Sequence, residues 1–342
     1  MNIQMIRSCV HHFDEVIFLG KELEAMGTLV LVAAVAREEK NVTVYLFAEG
    51  EDIRALQEKC MKMEKKRRNG TLTKREEMLT GTETEGSCLL DLIGGIKVAG
   101  KSYELRSASG SALEEYNLEG RILLYQFLFH QVSFGFLEEQ NFSRMQYAML
   151  ELEGEYEKIP FSREDLNAME FLLRPRHYHI LVEQKMKVSI GKQVQRERKF
   201  FCQPLQREIS YWVNEISLID TFTDYDKKYR EMKDKGHFSE EDYQIFFNHL
   251  KEICPLGMRN LMVEYECEEA SLEFYAKEQL KEKVQINTGA AVSFFLAGKT
   301  KKKEGMHGKP IRTCMIQYPI QPDIQKIELE LLCAFVQERE NS

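Results

Sequence analysis

The sequence predicts an α+β protein whose C-terminal half forms a largely antiparallel sheet with helices packed on one face, and whose N-terminal part is mixed α/β. In residues 238–268, a capped amphipathic helix is followed by a strand in which apolar and acidic residues alternate. A longer alternation over residues 178–190 is typical of an antiparallel strand with one face in water. We place the boundary after Gly154 and expect two domains, residues 1–154 and residues 155–342.

Composition and charge restrict the class of protein. The chain has 342 residues, of which 43% are hydrophobic, so it can bury a substantial core. Its formal net charge of −8 at pH 7 makes a nucleic-acid binder with a basic surface unlikely, although it allows a local basic patch. The longest apolar run, residues 28–36, is far shorter than the roughly 20 residues of a membrane-spanning helix. We therefore expect a soluble cytoplasmic protein that does not enter a membrane.

The eight cysteines are scattered, and no two of them lie within four residues of each other. This spacing excludes zinc-ribbon motifs and redox CxxC motifs. Several cysteines fall on apolar faces of predicted elements, so we interpret them as small buried side chains in a reducing compartment. The sequence indicates no cofactor.

The N-terminal part contains short elements of both kinds. Residues 28–36 and 42–47 predict a hairpin of two strands, although the alanines of the first run also allow a helix. The remaining segments predict a helix over 51–68, a mobile surface loop over 71–86, short strands with tight turns over 89–106, a helix or a buried strand over 122–136, and a strand over 142–152.

The motif F-S-x-E-D occurs twice in the C-terminal part, beginning at Phe161 and at Phe238. Each copy predicts a helical N-terminus with a capping box, and in each case a proline ends the helix before an alternating strand. The two copies are either a duplicated helix–strand unit or two independent cases of a common cap.

The other C-terminal segments complete the predicted layout. Apolar spacing predicts helices over 205–216, 222–232 and 271–283, and strands over 290–297, 311–318 and 327–336. We expect these three strands to join residues 178–190 and 261–267 in one largely antiparallel sheet, with the helices covering one face.

Two histidines on one strand are the candidate metal ligands. His177 and His179 share a face of the strand 178–190, because alternate residues of a strand point to the same side. Two imidazoles with this spacing can bind one metal ion, and Glu183 on the same face can complete the set. Leu181 separates the histidines from Glu183, so the spacing alone fixes no third ligand. The alternative is a pair of histidines on a solvated face.

A basic, glycine-containing stretch is the candidate ligand-binding loop. Lys301, Lys302, Lys303 and His307 lie in a predicted connection between two strands, where lysines and backbone N–H groups can bind a phosphate or another anion. The upstream glycine, Gly289, is too far away to form a P-loop. The alternative is an exposed loop that lysines keep soluble.

Three carboxylates lie on the polar face of the strand 261–267 and just beyond it, at Glu264, Glu266 and Glu268. Such a row can bind a divalent cation or a basic partner. We favour a structural interpretation, in which the row keeps the surface soluble or pairs across strands with Lys and Arg. If the two strands are neighbours, Lys185 and Lys187 are the candidate partners.

These observations favour a non-catalytic binding or interaction protein, with an unknown protein partner or a small anionic ligand. The chain contains neither a G-x-S-x-G nor a G-x-G-x-x-G motif. One alternative is a metal-assisted hydrolase that uses His177 and His179. Another is an oligomeric structural or interaction module, in which an exposed strand edge pairs with another chain.

Overall fold

The computed structural model of the chain describes residues 2–25, 27–84, 93–114, 117–175, 177–235, 239–284 and 303–337. The strands in these residues are β1 (Glu15–Ala25), β2 (Thr28–Glu38), β3 (Asn41–Glu49), β4 (Ile93–Val98), β5 (Lys101–Ala112), β6 (Met145–Leu152), β7 (Glu170–Leu173), β8 (His177–Ser189), β9 (Gly191–Lys192), β10 (Arg198–Cys202), β11 (Arg207–Ile219), β12 (Arg259–Glu266), β13 (Ala270–Ala276), β14 (Ile311–Ile320) and β15 (Lys326–Gln337). The α-helices are α1 (Ile3–Ser8), α2 (Ile53–Arg68), α3 (Lys74–Thr84), α4 (Leu118–Phe129), α5 (Arg163–Leu166), α6 (Thr221–Asp234), α7 (Glu240–Ile253) and α8 (Lys277–Lys281).

The chain folds into two compact units, and neither is continuous in sequence. The first unit contains Met1–Lys62 and Gly86–Arg176, and the second contains Met63–Glu85 and His177–Ser342. The predicted α+β class with antiparallel sheets is confirmed. The predicted division at residue 154 stays a prediction, because compact packing does not test whether either part folds alone.

The first unit is built on a seven-stranded antiparallel sheet in the order β1-β2-β3-β6-β5-β4-β7. The sequence predicts the antiparallel sheet in the C-terminal half, but the largest sheet of the described residues lies in the N-terminal half. Strand β2 explains why, because its residues from Val30 to Ala36 are all buried. One cluster of apolar residues packs on each face of this sheet, and α4 belongs to one of them. A strand that is buried on both faces loses the alternation that identifies a strand in sequence.

The second unit contains two antiparallel sheets around one core. One has the order β10-β11-β12-β14, with β9 beside β11, and the other has the order β13-β15-β8. Strand β13 also contacts β14, and β8 contacts β10, so both sheets enclose the same apolar cluster. The prediction of a single sheet is corrected here, since β8 and β12 lie in different sheets that share this core.

Locally encoded elements agree with the sequence. The hairpin β2–β3 and the helix α2 form where they were predicted. Helix α7 begins with a complete capping box, in which the Ser239 hydroxyl accepts from the Asp242 N–H at 3.1 Å and the Asp242 carboxylate accepts from the Ser239 N–H at 3.0 Å. Strands β8, β12, β14 and β15 also form at the predicted positions, because one face of each is apolar.

Three predicted elements are wrong. Residues 205–216 and 271–283 were predicted to be helices, but they form most of β11 and, in the second case, β13 followed by the short helix α8. Residues 71–86 were predicted to be a loop, but they contain α3. The strand predicted over 290–297 lies outside the described residues. The first F-S-x-E-D copy does form a capping box at Ser162, although its helix ends after four residues.

Candidate functional site

Three potential metal ligands come together on one face of the sheet β13-β15-β8, which we call the outer face. His179 lies on β8, Glu273 on β13 and Cys333 on β15. One ligand atom from each residue lies within 4.8 Å of the other two. Cys333 is buried, and the other two side chains are partly exposed. A ring nitrogen, a carboxylate oxygen and a sulfur are the donor types that zinc takes in proteins.

The register of the central strand β15 produces this arrangement. Cys333 is paired with Glu273 across one edge of β15, and Phe335 is paired with His179 across the other. Because Cys333 and Phe335 are two residues apart on one strand, their side chains lie on the same face. The rings of His179 and Phe335 stack with centroids 4.1 Å apart and planes inclined by 12°. The pairing of the three strands therefore brings all three candidate ligands close together on the outer face.

The other two residues of the predicted metal set have different surroundings. Glu183 has a left-handed φ of 56° and lies where the β8–β15 register shifts. Its carboxylate accepts from the Arg75 guanidinium. His177 is exposed near the end of β8. Among the residues that the structure describes, His177, His179 and Glu183 do not form one ligand set.

Arg75 attaches α3 to the outer face through a buried carboxylate. Its Nη1 donates to Glu330 Oε1 at 2.7 Å, and the Glu330 side chain is 2% exposed. Burial of an unpaired carboxylate is costly, so the guanidinium is an electrostatic requirement of this position.

Tyr275 supports Glu273 from the same strand. Its hydroxyl donates to Glu273 Oε2 at 3.1 Å and lies 3.6 Å from the Met78 sulfur of α3. Burial, followed by the charge of Glu273, raises the pKa of Tyr275. The phenol is therefore a stable hydrogen-bond donor that orients the Glu273 carboxylate.

In the predicted ligand-binding loop, the described residues hold a carboxylate of the same chain. Glu266 of β12 is fully buried and accepts from the backbone N–H groups of Met306 at 3.1 Å and His307 at 2.9 Å. The His307 Nδ1 lies 3.3 Å from the same carboxylate. A side chain on Gly305 would collide with this carboxylate, so the loop needs glycine there.

The remaining residues of the predicted ligand set are less defined. Lys303 is exposed, while Lys301 and Lys302 lie outside the described residues. Anion binding by Lys301, Lys302, Lys303 and His307 stays a prediction.

The acidic row is not the exposed face that the sequence predicts. Glu266 is buried, and Glu268 binds Lys309. Pairing with Lys185 and Lys187 is wrong for this row, because β8 and β12 belong to different sheets. Lys187 instead lies 3.1 Å from Glu328 on β15.

The first unit contains a surface cavity of about 480 Å³ with a mixed lining. Arg54 and Arg121 contribute positive charge, and Glu114 contributes one negative charge. Phe142 and Leu113 form an apolar wall. The Arg54 guanidinium donates to the Ser143 hydroxyl at 2.8 Å. The Arg121 guanidinium lies over the Phe142 ring, 5.7 Å from its centroid. Asn141, Gln57 and Ile53 complete the lining.

Sequence reasoning identified only one residue of these two sites, His179. Glu273 lay in a predicted helix, although Leu272 and Phe274 around it are buried in the alternating pattern of a strand. Cys333 lay in a correctly predicted strand. It is far from Glu273 in sequence, so the pairing of the two residues could not be predicted. The arginines of the cavity form no sequence motif, because four separate parts of the chain supply the lining.

Comparisons of the chain with protein-family models, with curated proteins and with solved structures give no match. In the part of the chain that the structure describes, none of the helices has the length and apolar character needed to span a bilayer.

Proposed function

We propose that this chain is a binding protein for a small organic anion, and that the anion occupies the cavity of the first unit. The observation that carries the proposal is the presence of Arg54 and Arg121 in a cavity of about 480 Å³. This volume falls within the roughly 300–1,000 Å³ of small-molecule sites.

The guanidinium donors of the lining favour an anion over a cation. The described lining carries two guanidinium groups and one carboxylate, that of Glu114, which already accepts from the Gln57 amide at 2.7 Å. Asp52 also pairs with Arg54, with its Oδ1 3.5 Å from Nε. A guanidinium presents planar pairs of donors that match a carboxylate or a phosphate. The contact with Ser143 fixes the Arg54 side chain, so part of its rotamer entropy is lost before the ligand binds.

The apolar wall favours a ligand with a flat or apolar body. Leu113 is 1% exposed and Phe142 is 40% exposed, so the phenyl ring offers surface that a ligand can cover. Burial of this surface adds about 25 cal/mol per Å². The ligand class that fits both features is an organic phosphate or carboxylate that carries an aromatic or aliphatic group.

The experiment is a calorimetric titration of the full chain with phenyl phosphate, with inorganic phosphate and phenol as the two partial ligands. We expect phenyl phosphate to bind more tightly than either. Arg54→Gln and Arg121→Gln should each weaken binding about tenfold, which corresponds to about 1.4 kcal/mol. Arg68→Gln is the matched control, since Arg68 is a surface arginine paired with Glu64. Equal affinity in the wild type and both cavity variants would refute the proposal.

The predicted lysine loop is tested in the same titration. A variant with Lys301, Lys302 and Lys303 all changed to Gln should bind phenyl phosphate like the wild type if the cavity is the site. Weaker binding in this variant alone would assign the anion to the loop. An oligomeric module, the other non-catalytic alternative, predicts a multiple of the 40.1 kDa chain mass in solution.

A further inference from the structure

We propose that the second unit binds a divalent transition-metal ion, zinc by preference, through His179, Glu273 and Cys333. This site is independent of the anion cavity, since all three ligands belong to the second unit. It differs from the set that the sequence predicts, because Glu273 and Cys333 take the places of His177 and Glu183.

The distances between the three ligand atoms suit one ion. All three lie within 4.8 Å of one another. Ligand bonds to zinc are about 2.0–2.3 Å long, so two ligands of a tetrahedral zinc lie roughly 3.3–3.8 Å apart. A side-chain movement of about 1 Å closes the difference between this spread and the spacing of zinc ligands. Because each ligand comes from a different paired strand, the backbone holds the set before the ion arrives.

Neighbouring residues orient two of the ligands. The Tyr275 hydroxyl donates to Glu273 Oε2 at 3.1 Å, which restricts rotation of the carboxylate. Stacking on Phe335 fixes the plane of the His179 ring. Such second contacts are typical of metal sites, where they orient the ligands and raise affinity.

The donor set selects the class of metal. A thiolate with an imidazole suits zinc and excludes magnesium and calcium, which take oxygen ligands. Binding converts the Cys333 thiol to a thiolate, and its proton passes to the solvent as the zinc–sulfur bond forms. Three protein ligands leave the fourth position of a tetrahedral ion for water or for a further ligand.

The experiment uses the full chain, purified without chelator and then loaded with Co²⁺ in place of Zn²⁺. We expect one Co²⁺ per chain and a thiolate-to-cobalt charge-transfer band in the near ultraviolet. Zinc should displace cobalt and remove the band. This measurement needs no variant, so a folding defect cannot obscure it. Absence of the band at saturating Co²⁺ would overturn the proposal.

Variants then identify the ligands. Cys333→Ser should abolish the charge-transfer band and weaken zinc binding at least tenfold, and Glu273→Gln and His179→Ala should each weaken it by a similar factor. Cys60→Ser and His177→Ala are matched controls, because Cys60 and His177 are exposed and lie outside the set. Circular dichroism of each variant establishes that it is folded. Loss of metal in His177→Ala or Glu183→Gln, with binding retained in folded Cys333→Ser, would overturn the assignment.

Discussion

The imidazole of His307 lies flat against the indole of Trp212, with ring centroids 4.5 Å apart and planes inclined by 13°. His307 also contacts the buried carboxylate of Glu266, so one residue connects the loop to two strands of the core. Trp212 is the only tryptophan in the chain. Its fluorescence is therefore a direct reporter of this loop.

Replacement of His307 by Ala should uncover the indole and move the emission of Trp212 to longer wavelength. It removes the stacked ring and the Nδ1 contact with Glu266, so we expect a loss of about 1 kcal/mol in the free energy of unfolding. Emission spectra and urea unfolding measure both effects. His177→Ala is the control, and an unchanged spectrum in His307→Ala would contradict the stacked arrangement.

Removal of the Arg75 guanidinium should destabilise the second unit, because it leaves the Glu330 carboxylate buried and unpaired. We expect Arg75→Ala to lower the free energy of unfolding by about 2 to 4 kcal/mol. The double variant Arg75→Ala/Glu330→Gln should recover part of this loss, since the amide carries no charge. Chemical denaturation of the single and double variants measures the coupling.

The control for that cycle is Arg68→Ala, which removes a surface arginine that is 73% exposed. Its effect should stay within about 0.5 kcal/mol. A loss in Arg75→Ala no larger than the loss in Arg68→Ala would show that the pair with Glu330 contributes no stability.

Glu76 should give the protein a pH-dependent increment of stability. The Lys66 ammonium and the backbone and side chain of Thr73 bind its carboxylate and lower its pKa from 4.5 to about 2. Because the folded pKa is the lower one, this stabilisation is fully present above pH 4.5 and is lost as the pH falls towards 2. The carboxylate is 40% exposed, so solvent screening limits the effect to less than about 1 kcal/mol.

Urea unfolding of the wild type and of Glu76→Gln at several pH values measures this increment. The difference between the two proteins should shrink between pH 4.5 and 2. Lys66→Gln should reduce the same difference, because it removes the largest cause of the shift. A difference that does not change with pH would contradict the contact with Lys66.

The cysteines should differ in their reactivity with iodoacetamide. Burial raises the pKa of Cys314 to about 11, and Cys60 is exposed on α2. Alkylation requires the thiolate, so at pH 8 exposed Cys60 should react faster than partly buried Cys314. Mass spectrometry of peptides from a brief reaction measures the order. Equal labelling of both residues in the folded protein would contradict the raised pKa of Cys314.

The capping box of α7 should contribute measurable stability. Ser239→Ala removes the hydroxyl that accepts from the Asp242 N–H, and we expect a loss of about 1 kcal/mol. Ser239→Thr keeps an acceptor and should lose less. Thermal unfolding monitored by circular dichroism compares the two variants. Equal stability of the alanine variant and the wild type would mean that this end of the helix frays in solution.

The sequence predicted correctly those elements that depend on contacts between residues close together in the chain. The capping box of α7 depends on Ser239 and Asp242, three residues apart, and both the box and the helix form as predicted. Strand β11 shows the opposite case. Ile209, Tyr211 and Val213 alternate and are buried as in a strand, but Trp212 adds an apolar residue at helical spacing, so the segment also fits a helical period.

The candidate metal site could not be predicted as a whole for a related reason. Only the register of three strands brings Glu273 and Cys333 to His179, and register depends on contacts across the whole sheet. The pair His177 and His179 indicated the correct strand, because alternation along one strand is visible in sequence. The partners that lie on neighbouring strands cannot be identified from the sequence in this way.

Arg75 and Glu330, which join α3 to β15, are separated by 255 residues of the chain. During synthesis on the ribosome, α3 is complete long before its docking surface on the sheet exists. Until β15 is made, α3 can form only its local contacts, such as the pairs Lys66–Glu76 and Arg67–Glu77 with the end of α2. The second unit therefore closes around α3 only after β15 has been synthesised.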